Sequence, residues 1–406
     1  MNIKIITGNV CAPQGFKAGG IHCGIRRNKT KKDLALIVSE NKANTACTYT
    51  LNRIKASPLK ITKNHVSDGY AQAIIVNSGN ANSCNIDGDE KAAAMARLAA
   101  KALNISPQDV IVASTGVIGE ILPLKPIEDS LPALCGLLND SDGMDAAYAI
   151  MTTDTRPKEI AVEFVIDNKV CRMGAIAKGS GMIHPNMGTM FGFITTDTAI
   201  ETPMLAKALK ETVDDTFNMI SIDGDTSTND MVCLLANGKA GNKIIDNTGE
   251  NYNIFINALR YISEYLSKEI ARDGEGASKL IICNAINVSS IADAKKIAKS
   301  IITSSLFKAA MFGADANWGR IFCAAGYSGA DFDPDKVDIS LSSKSGNVDV
   351  CKNGLGLKFD EDKAKNILLE DEITVVINLN EGKFNATAWG CDLTYDYVKI
   401  NGDYRT

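Results

Sequence analysis

Short apolar runs alternate along this chain with longer stretches in which apolar positions recur every three or four residues, a mixture that predicts strands interleaved with helices. Ala73-Ile74-Ile75-Val76, Val110-Ile111-Val112-Ala113 and Met190-Phe191-Gly192-Phe193-Ile194 read as buried strands. Residues 160–166 and 169–173 flank the polar pair Asp167-Asn168, which suits a tight hairpin. Helical spacing covers residues 90–103, 251–272 and 291–302. Residues 202–219 form another helix, with Thr202 as its predicted N-cap and Pro203 at its first position. Leu280-Ile281-Ile282-Cys283 ahead of residues 291–302 reads as an α/β unit, and the tail from Val337 is rich in short strands. Hairpins beside βα units argue against a purely parallel doubly wound sheet, so the expected class is α+β. There is no fixed-period repeat and no low-complexity linker.

Composition narrows the picture. With 406 residues, 45% of them hydrophobic and 22% charged, the chain has material for two or three lobes with substantial cores. A net charge of -5 and the lack of a basic run with interleaved aromatics predict no nucleic-acid partner. The opening residues Met1-Asn2-Ile3-Lys4-Ile5-Ile6 lack the apolar core of a signal peptide, and no stretch is apolar for long enough to span a bilayer. The expectation is a cytoplasmic protein with no membrane partner. Eleven cysteines are scattered singly, with no C-x-x-C pair, and read as reduced core hydrophobes.

The chemistry concentrates at Gly188-Thr189. A hydroxyl residue follows a small one at the end of the Gly/Pro-rich loop Lys178-Gly179-Ser180-Gly181-Met182-Ile183-His184-Pro185-Asn186-Met187, directly before a predicted strand. If the Thr189 hydroxyl attacks the Gly188 carbonyl, an N-to-O acyl shift and hydrolysis leave Thr189 as a new chain start. Its free α-amine, with a pKa of roughly 7.7–8.0 in model peptides, can then serve as the local base that a hydroxyl nucleophile needs. The same spacing also fits a glycine-rich surface loop entering a strand. Ser114-Thr115-Gly116-Val117-Ile118-Gly119, after a strand, suits either donors for an oxyanion or a plain strand-ending turn. His184 reads as a hydrogen-bonding loop residue, and Asp223, Asp225 and Asp230 as a structural turn or as oxygen ligands of a hard cation. No metal is expected.

Residues 178–197 resemble the autoprocessing site of the ornithine acetyltransferase, or glutamate N-acetyltransferase, family (the ArgJ family of arginine biosynthesis). Asn77-Ser78-Gly79-Asn80-Ala81-Asn82, Ser114-Thr115-Gly116-Val117-Ile118-Gly119, Met151-Thr152-Thr153-Asp154-Thr155, Asp223-Gly224-Asp225-Thr226-Ser227-Thr228-Asn229-Asp230, Asn317-Trp318-Gly319-Arg320 and Trp389-Gly390-Cys391-Asp392-Leu393 resemble family blocks in the family's order, so the likeness spans nearly the whole chain. The family usually has alanine before the nucleophile, whereas this chain has Gly188, which bears on the rate and completeness of cleavage.

The resemblance implies a layered α/β/β/α sandwich with a smaller C-terminal α/β lobe. It implies cleavage into residues 1–188 and 189–406, Thr189 as nucleophile, and Thr115 with Gly116 as the oxyanion hole. Thr152, Lys178, Thr189, Glu275, Asn401 and Thr406 carry over as substrate contacts: Lys178 suits a substrate carboxylate and Glu275 an amino group. The implied reaction moves acetyl from N2-acetylornithine to glutamate by a ping-pong route, without a cofactor, in an assembly of two copies of each chain. Some members also take acetyl-CoA as donor, and no CoA motif is evident here. Two rivals are an N-terminal-nucleophile amidase or aminopeptidase, in which water reaches the acyl-enzyme, and an uncleaved amino-acid-binding protein.

Overall fold

The computed structural model describes residues 3–184 and 190–402. The chain divides into two compact units, one built from Met1–Gly179, Pro185–Asn218 and Thr226–Leu266, the other from Ser180–His184, Met219–Asp225 and Ser267–Thr406. Each unit draws on both sides of residue 188.

The first unit is organised by a mixed sheet. Its strands run in the spatial order Lys4–Ile6, Lys158–Ile166, Lys169–Lys178, Phe191–Thr196, Met231–Ala236, Leu34–Tyr49, Tyr70–Asn77 and Val110–Ser114, with Phe16–Ile21 also paired to Leu34–Tyr49. Both faces are covered, which is why the central strands read as continuous apolar runs and do not alternate. Ile74, Val76, Ile111 and Ala113 meet Ala146, Ala147 and Ile150 of the helix Met144–Ile150 on one face. Ile75, Val110 and Val112 meet Met95 and Ala99 of the helix Gly88–Leu103, and Leu131 and Leu134 of Leu124–Gly136, on the other. The predicted hairpin is present, and Asp167 and Asn168 take φ of 49° and 61°, as a type I′ turn requires.

One helix start differs from expectation. The helix Thr202–Asp215 has Glu201 at its N-cap, and the Thr202 hydroxyl donates instead to the Gly69 carbonyl at 3.2 Å. It also ends before residue 219, with Phe217–Met219 forming a separate 3₁₀ turn.

The second unit carries the sheet Leu355–Gly356, Gly346–Lys352, Asp338–Ser343, Glu372–Asn378, Leu280–Val288, Phe384–Cys391 and Ile220–Ser221, in that spatial order. The expected α/β unit is there: Ile291–Thr303 packs on Leu280–Val288 and Phe384–Cys391, and the Ser290 hydroxyl caps it by accepting from the Asp293 N–H. Buried Lys279 donates to the carbonyls of Met311, at 2.6 Å, and Leu368, at 2.8 Å, so a single ammonium satisfies the C-termini of Ser305–Phe312 and Glu361–Leu368. Mixed sheets with helices packed on them make the fold α+β.

All eleven cysteines are free. Cys11, Cys171, Cys233, Cys283, Cys351 and Cys391 are buried, and burial pushes the Cys11 thiol up to about 12. Cys84 and Cys323 are exposed, against the expectation of core positions, because Cys84 lies in a polar loop and Cys323 on Trp318–Gly326 is outside the buried face of Ile321, Ala324 and Ala325. Among the described residues no helix is long and apolar enough to cross a membrane.

Candidate active site

The first unit builds a donor turn at one end of its sheet. Tyr70–Asn77 and Val110–Ser114 are parallel, with Asn77 opposite Ser114, so the segments that follow them leave the sheet side by side. The Asn77 side chain ties them together: its amide donates to Ser114 Oγ at 2.7 Å, and its oxygen accepts from the N–H groups of Gly79 and Asn80 at 3.2 and 3.0 Å. Asn229 bridges the same segments by donating to the carbonyls of Ala81 and Ser114, both at 2.6 Å. Gly116 has φ of 127°, and a Cβ there would lie 2.7 Å from the Gly79 carbonyl carbon, so only glycine fits. Among the described residues neither the Gly116 N–H nor the Thr115 hydroxyl has a protein partner. Two rigidly mounted donors are thus left for a ligand oxygen.

In the same unit, Lys178 ends the strand Lys169–Lys178 with 7% of its surface exposed. Burial lowers its pKa; Asp154 and Asp230 work against that lowering, while Lys158 and Arg26 add to it. Asp154 accepts from Lys158 Nζ and the Gly179 N–H, each at 2.7 Å, and from the Thr152 N–H at 3.0 Å. Burial alone would raise the Asp154 carboxyl, but the Lys158 and Lys178 ammonium groups outweigh it and hold it well below the usual carboxylate range. Arg26 Nε donates to the Ser78 carbonyl at 2.9 Å and its guanidinium also reaches the Met151 carbonyl.

The second unit presents a carboxylate. Glu275 is 7% exposed, and its backbone N–H donates to the Ser180 carbonyl at 2.9 Å. Asn401, near the end of the helix Tyr395–Gly402, donates from Nδ2 to Glu275 Oε2 at 2.7 Å. Among the described residues no lysine or arginine pairs with it. Asp223 accepts from the N–H groups of Met182 and Ile183 at 2.6 and 2.8 Å and so pins the segment before His184. His184 Nδ1 lies 3.1 Å from Ser221 Oγ; burial, reinforced by Lys299, pulls its pKa down to about 4, which leaves it neutral at physiological pH.

The sequence model of the ArgJ family matches residues 17–406. The chain belongs to the ArgJ family. It is 53% identical over 406 residues to arginine biosynthesis bifunctional protein ArgJ 1 of Clostridium acetobutylicum, covering 100% of this chain and 99% of that one. It is 50% identical over 405 residues to the ArgJ protein of Caldanaerobacter subterraneus subsp. tengcongensis, covering both in full. The crystal structure of arginine biosynthesis bifunctional protein ArgJ from Bacillus halodurans is 43% identical with a TM-score of 0.50, covering 52% of this chain and 98% of that chain.

For an ArgJ-family chain the expected site residues divide as follows. Thr115, Gly116, Thr152 and Lys178 lie in the first unit, and Glu275 and Asn401 in the second, the last two in direct contact. Gly188, Thr189 and Thr406 lie outside the described residues. Asp223 and Asp225 belong to the second unit and Asp230 to the first, and the Asp223 oxygens are spent on backbone N–H groups. Sequence reasoning did not single out Asp154, Lys158, Arg26, Asn77, Asn229 or Gly181. Asp154, Asn77, Asn229 and Gly181 did fall inside the family-like segments, and a small or polar residue in such a segment is the signal that could have found them.

Proposed function

We propose that this ArgJ-family protein is an autoprocessing acetyltransferase that moves acetyl from N2-acetylornithine to glutamate in arginine biosynthesis. The observation that carries the reading is identity of 50–53% across the full chain to proteins named for that pathway. Thr189 Oγ attacks the Gly188 carbonyl, the peptide becomes an ester, and water hydrolyses it to a Gly188 carboxylate and a Thr189 amine. The chain works as residues 1–188 and 189–406, two of each, in the cytoplasm. That 98% of the solved Bacillus halodurans chain matches only 52% of this one supports delivery in two pieces.

In the transfer, Thr189 Oγ attacks the acetyl carbonyl while its own amine accepts the proton. The oxyanion faces the Thr115 hydroxyl and the Gly116 N–H, which need no reorganisation to receive it. Collapse returns the proton to the leaving nitrogen, ornithine departs, and the glutamate amine then attacks the acetyl-threonine ester. Lys178 and Thr152 receive the substrate carboxylate, and Glu275, Asn401 and Thr406 its ammonium. No cofactor is required. The word bifunctional in the relatives' names supports acetyl-CoA as a second donor. The test is acetyl-labelled N2-acetylornithine with glutamate and purified protein. Label should appear in N-acetylglutamate with parallel double-reciprocal plots, and label released only as acetate would replace the transferase with a hydrolase.

A further inference from the structure

Gly181 lies directly against the Glu275 carboxyl group. A Cβ at position 181 would stand 2.3 Å from the Glu275 carboxyl carbon, 2.3 Å from Oε1 and 2.4 Å from Oε2. The backbone at 181 is not in the left-handed region, so nothing but this missing atom calls for glycine there. The segment around it cannot retreat. Ser180 Oγ donates to the Asp273 carbonyl at 2.7 Å, the Ser180 carbonyl accepts from the Glu275 N–H, and the Ile183 carbonyl accepts from the Ile222 N–H at 2.7 Å. Asp223 holds the N–H groups of residues 182 and 183 from the other side. The Glu275 carboxylate, by contrast, is the far end of a flexible side chain held through the Asn401 amide, so a methyl at 181 would displace it and not the loop.

A carboxylate this buried is rarely left without a cation. Among the described residues its side-chain donor is the neutral Asn401 amide, and the two oxygens occupy the space that a Cβ at position 181 would take. We propose that Gly181 is a specificity-determining position that holds the Glu275 carboxylate in line for the side-chain ammonium of the acyl donor. This rests on the reading of function above. N2-acetylornithine offers one free ammonium, on Cδ, because its α-nitrogen is acylated, so the fixed carboxylate selects that donor over an N-acetyl amino acid of the same length with an apolar end.

The experiment compares wild type with Gly181→Ala, using KM for N2-acetylornithine and the inhibition constant of N-acetylnorvaline, which has the same chain without the terminal nitrogen. A charged hydrogen bond lost by misalignment corresponds to about ten- to a hundredfold. KM for N2-acetylornithine should rise by that factor with kcat little changed, and inhibition by N-acetylnorvaline should be unaltered. Adding Glu275→Asp, which shortens the side chain and restores room beside the new methyl, should recover part of the loss. Equal losses for both compounds, or no loss for either, would overturn the role of Gly181 while leaving the transferase intact. Wild-type protein that neither transfers from nor binds N2-acetylornithine by calorimetry would instead sink the functional reading, and the inference with it.

Discussion

Asp154 and Lys158 form an ion pair at 2.7 Å with both side chains entirely out of solvent. The carboxylate also takes the Gly179 and Thr152 N–H groups, so its lone pairs are well used. The charged groups that act on Lys178 are Asp154, Asp230, Lys158 and Arg26, two of each sign. The two carboxylates favour its charge, the two cations oppose it, and burial, the largest cause, also opposes it.

Removing one partner of such a pair strands the other in a dry site. Lys158→Met should therefore destabilise the protein by about 3–5 kcal/mol, read from urea unfolding at neutral pH. Because the folded Asp154 value is depressed, this stabilisation is present above the ordinary value of 3.8 and is lost as pH falls below it. A change of under about 1 kcal/mol would mean that the pair contributes little.

Lys178 supports a second prediction, on the alkaline side. Its pKa is lowered below 10.5, first by burial, so its charge is lost earlier in a pH rise than that of an exposed lysine. Affinity for the substrate carboxylate should fall through that lowered value, seen as a rising KM for N2-acetylornithine. Lys178→Arg should move this limb to higher pH, since a guanidinium stays protonated throughout. An unshifted limb would assign it to another group, such as the substrate's own ammonium.

At the donor turn, Thr115→Ala and Gly116→Ala should fail in different ways. Losing the Thr115 hydroxyl removes one oxyanion donor and should slow acetyl transfer by about 10²–10³ with melting temperature unchanged. A methyl at 116 meets the Gly79 backbone at 2.7 Å, where no flexible side-chain end can yield, so that variant should also melt earlier. Wild-type transfer by Thr115→Ala would exclude its hydroxyl from the oxyanion site.

Self-cleavage is tested at the nucleophile. Thr189→Ala should persist as one inactive chain on a denaturing gel, and Thr189→Ser should still divide after Gly188 and keep partial activity. A fully active, undivided wild-type chain would separate catalysis from cleavage.

The central strands were legible because burial on both faces leaves an unbroken apolar signature, as in Ile74-Ile75-Val76. The hairpin at Asp167-Asn168 was legible because its two positive φ values are a local demand. Features set by distant partners were not. The Thr202 hydroxyl is claimed by Gly69, far away in sequence, and so does not cap its own helix. The role of Asp154 inside its family-like block is hidden from the sequence, since nothing local reveals that Lys158 is buried against it. Asn401 sits where chain ends usually fray, yet Tyr395–Gly402 is helical and carries it onto Glu275.

That last contact gives the most direct test of the carboxylate. Asn401→Asp would replace a donor 2.7 Å from Glu275 Oε2 with a second carboxyl group. Two carboxylates at that distance cannot both ionise cheaply, so one will hold a proton to higher pH than usual. While both are ionised, their repulsion should spread the pair and disturb the ammonium site; once one is protonated, it can donate as the asparagine did. The ratio of KM for N2-acetylornithine between variant and wild type should therefore be large at pH 8 and shrink as pH is lowered. Taking the ratio cancels the titration of the substrate and of Lys178, which both proteins share. A ratio that is flat with pH would mean that the Asn401 amide acts on Glu275 only through shape, and that its proton is not what the carboxylate needs.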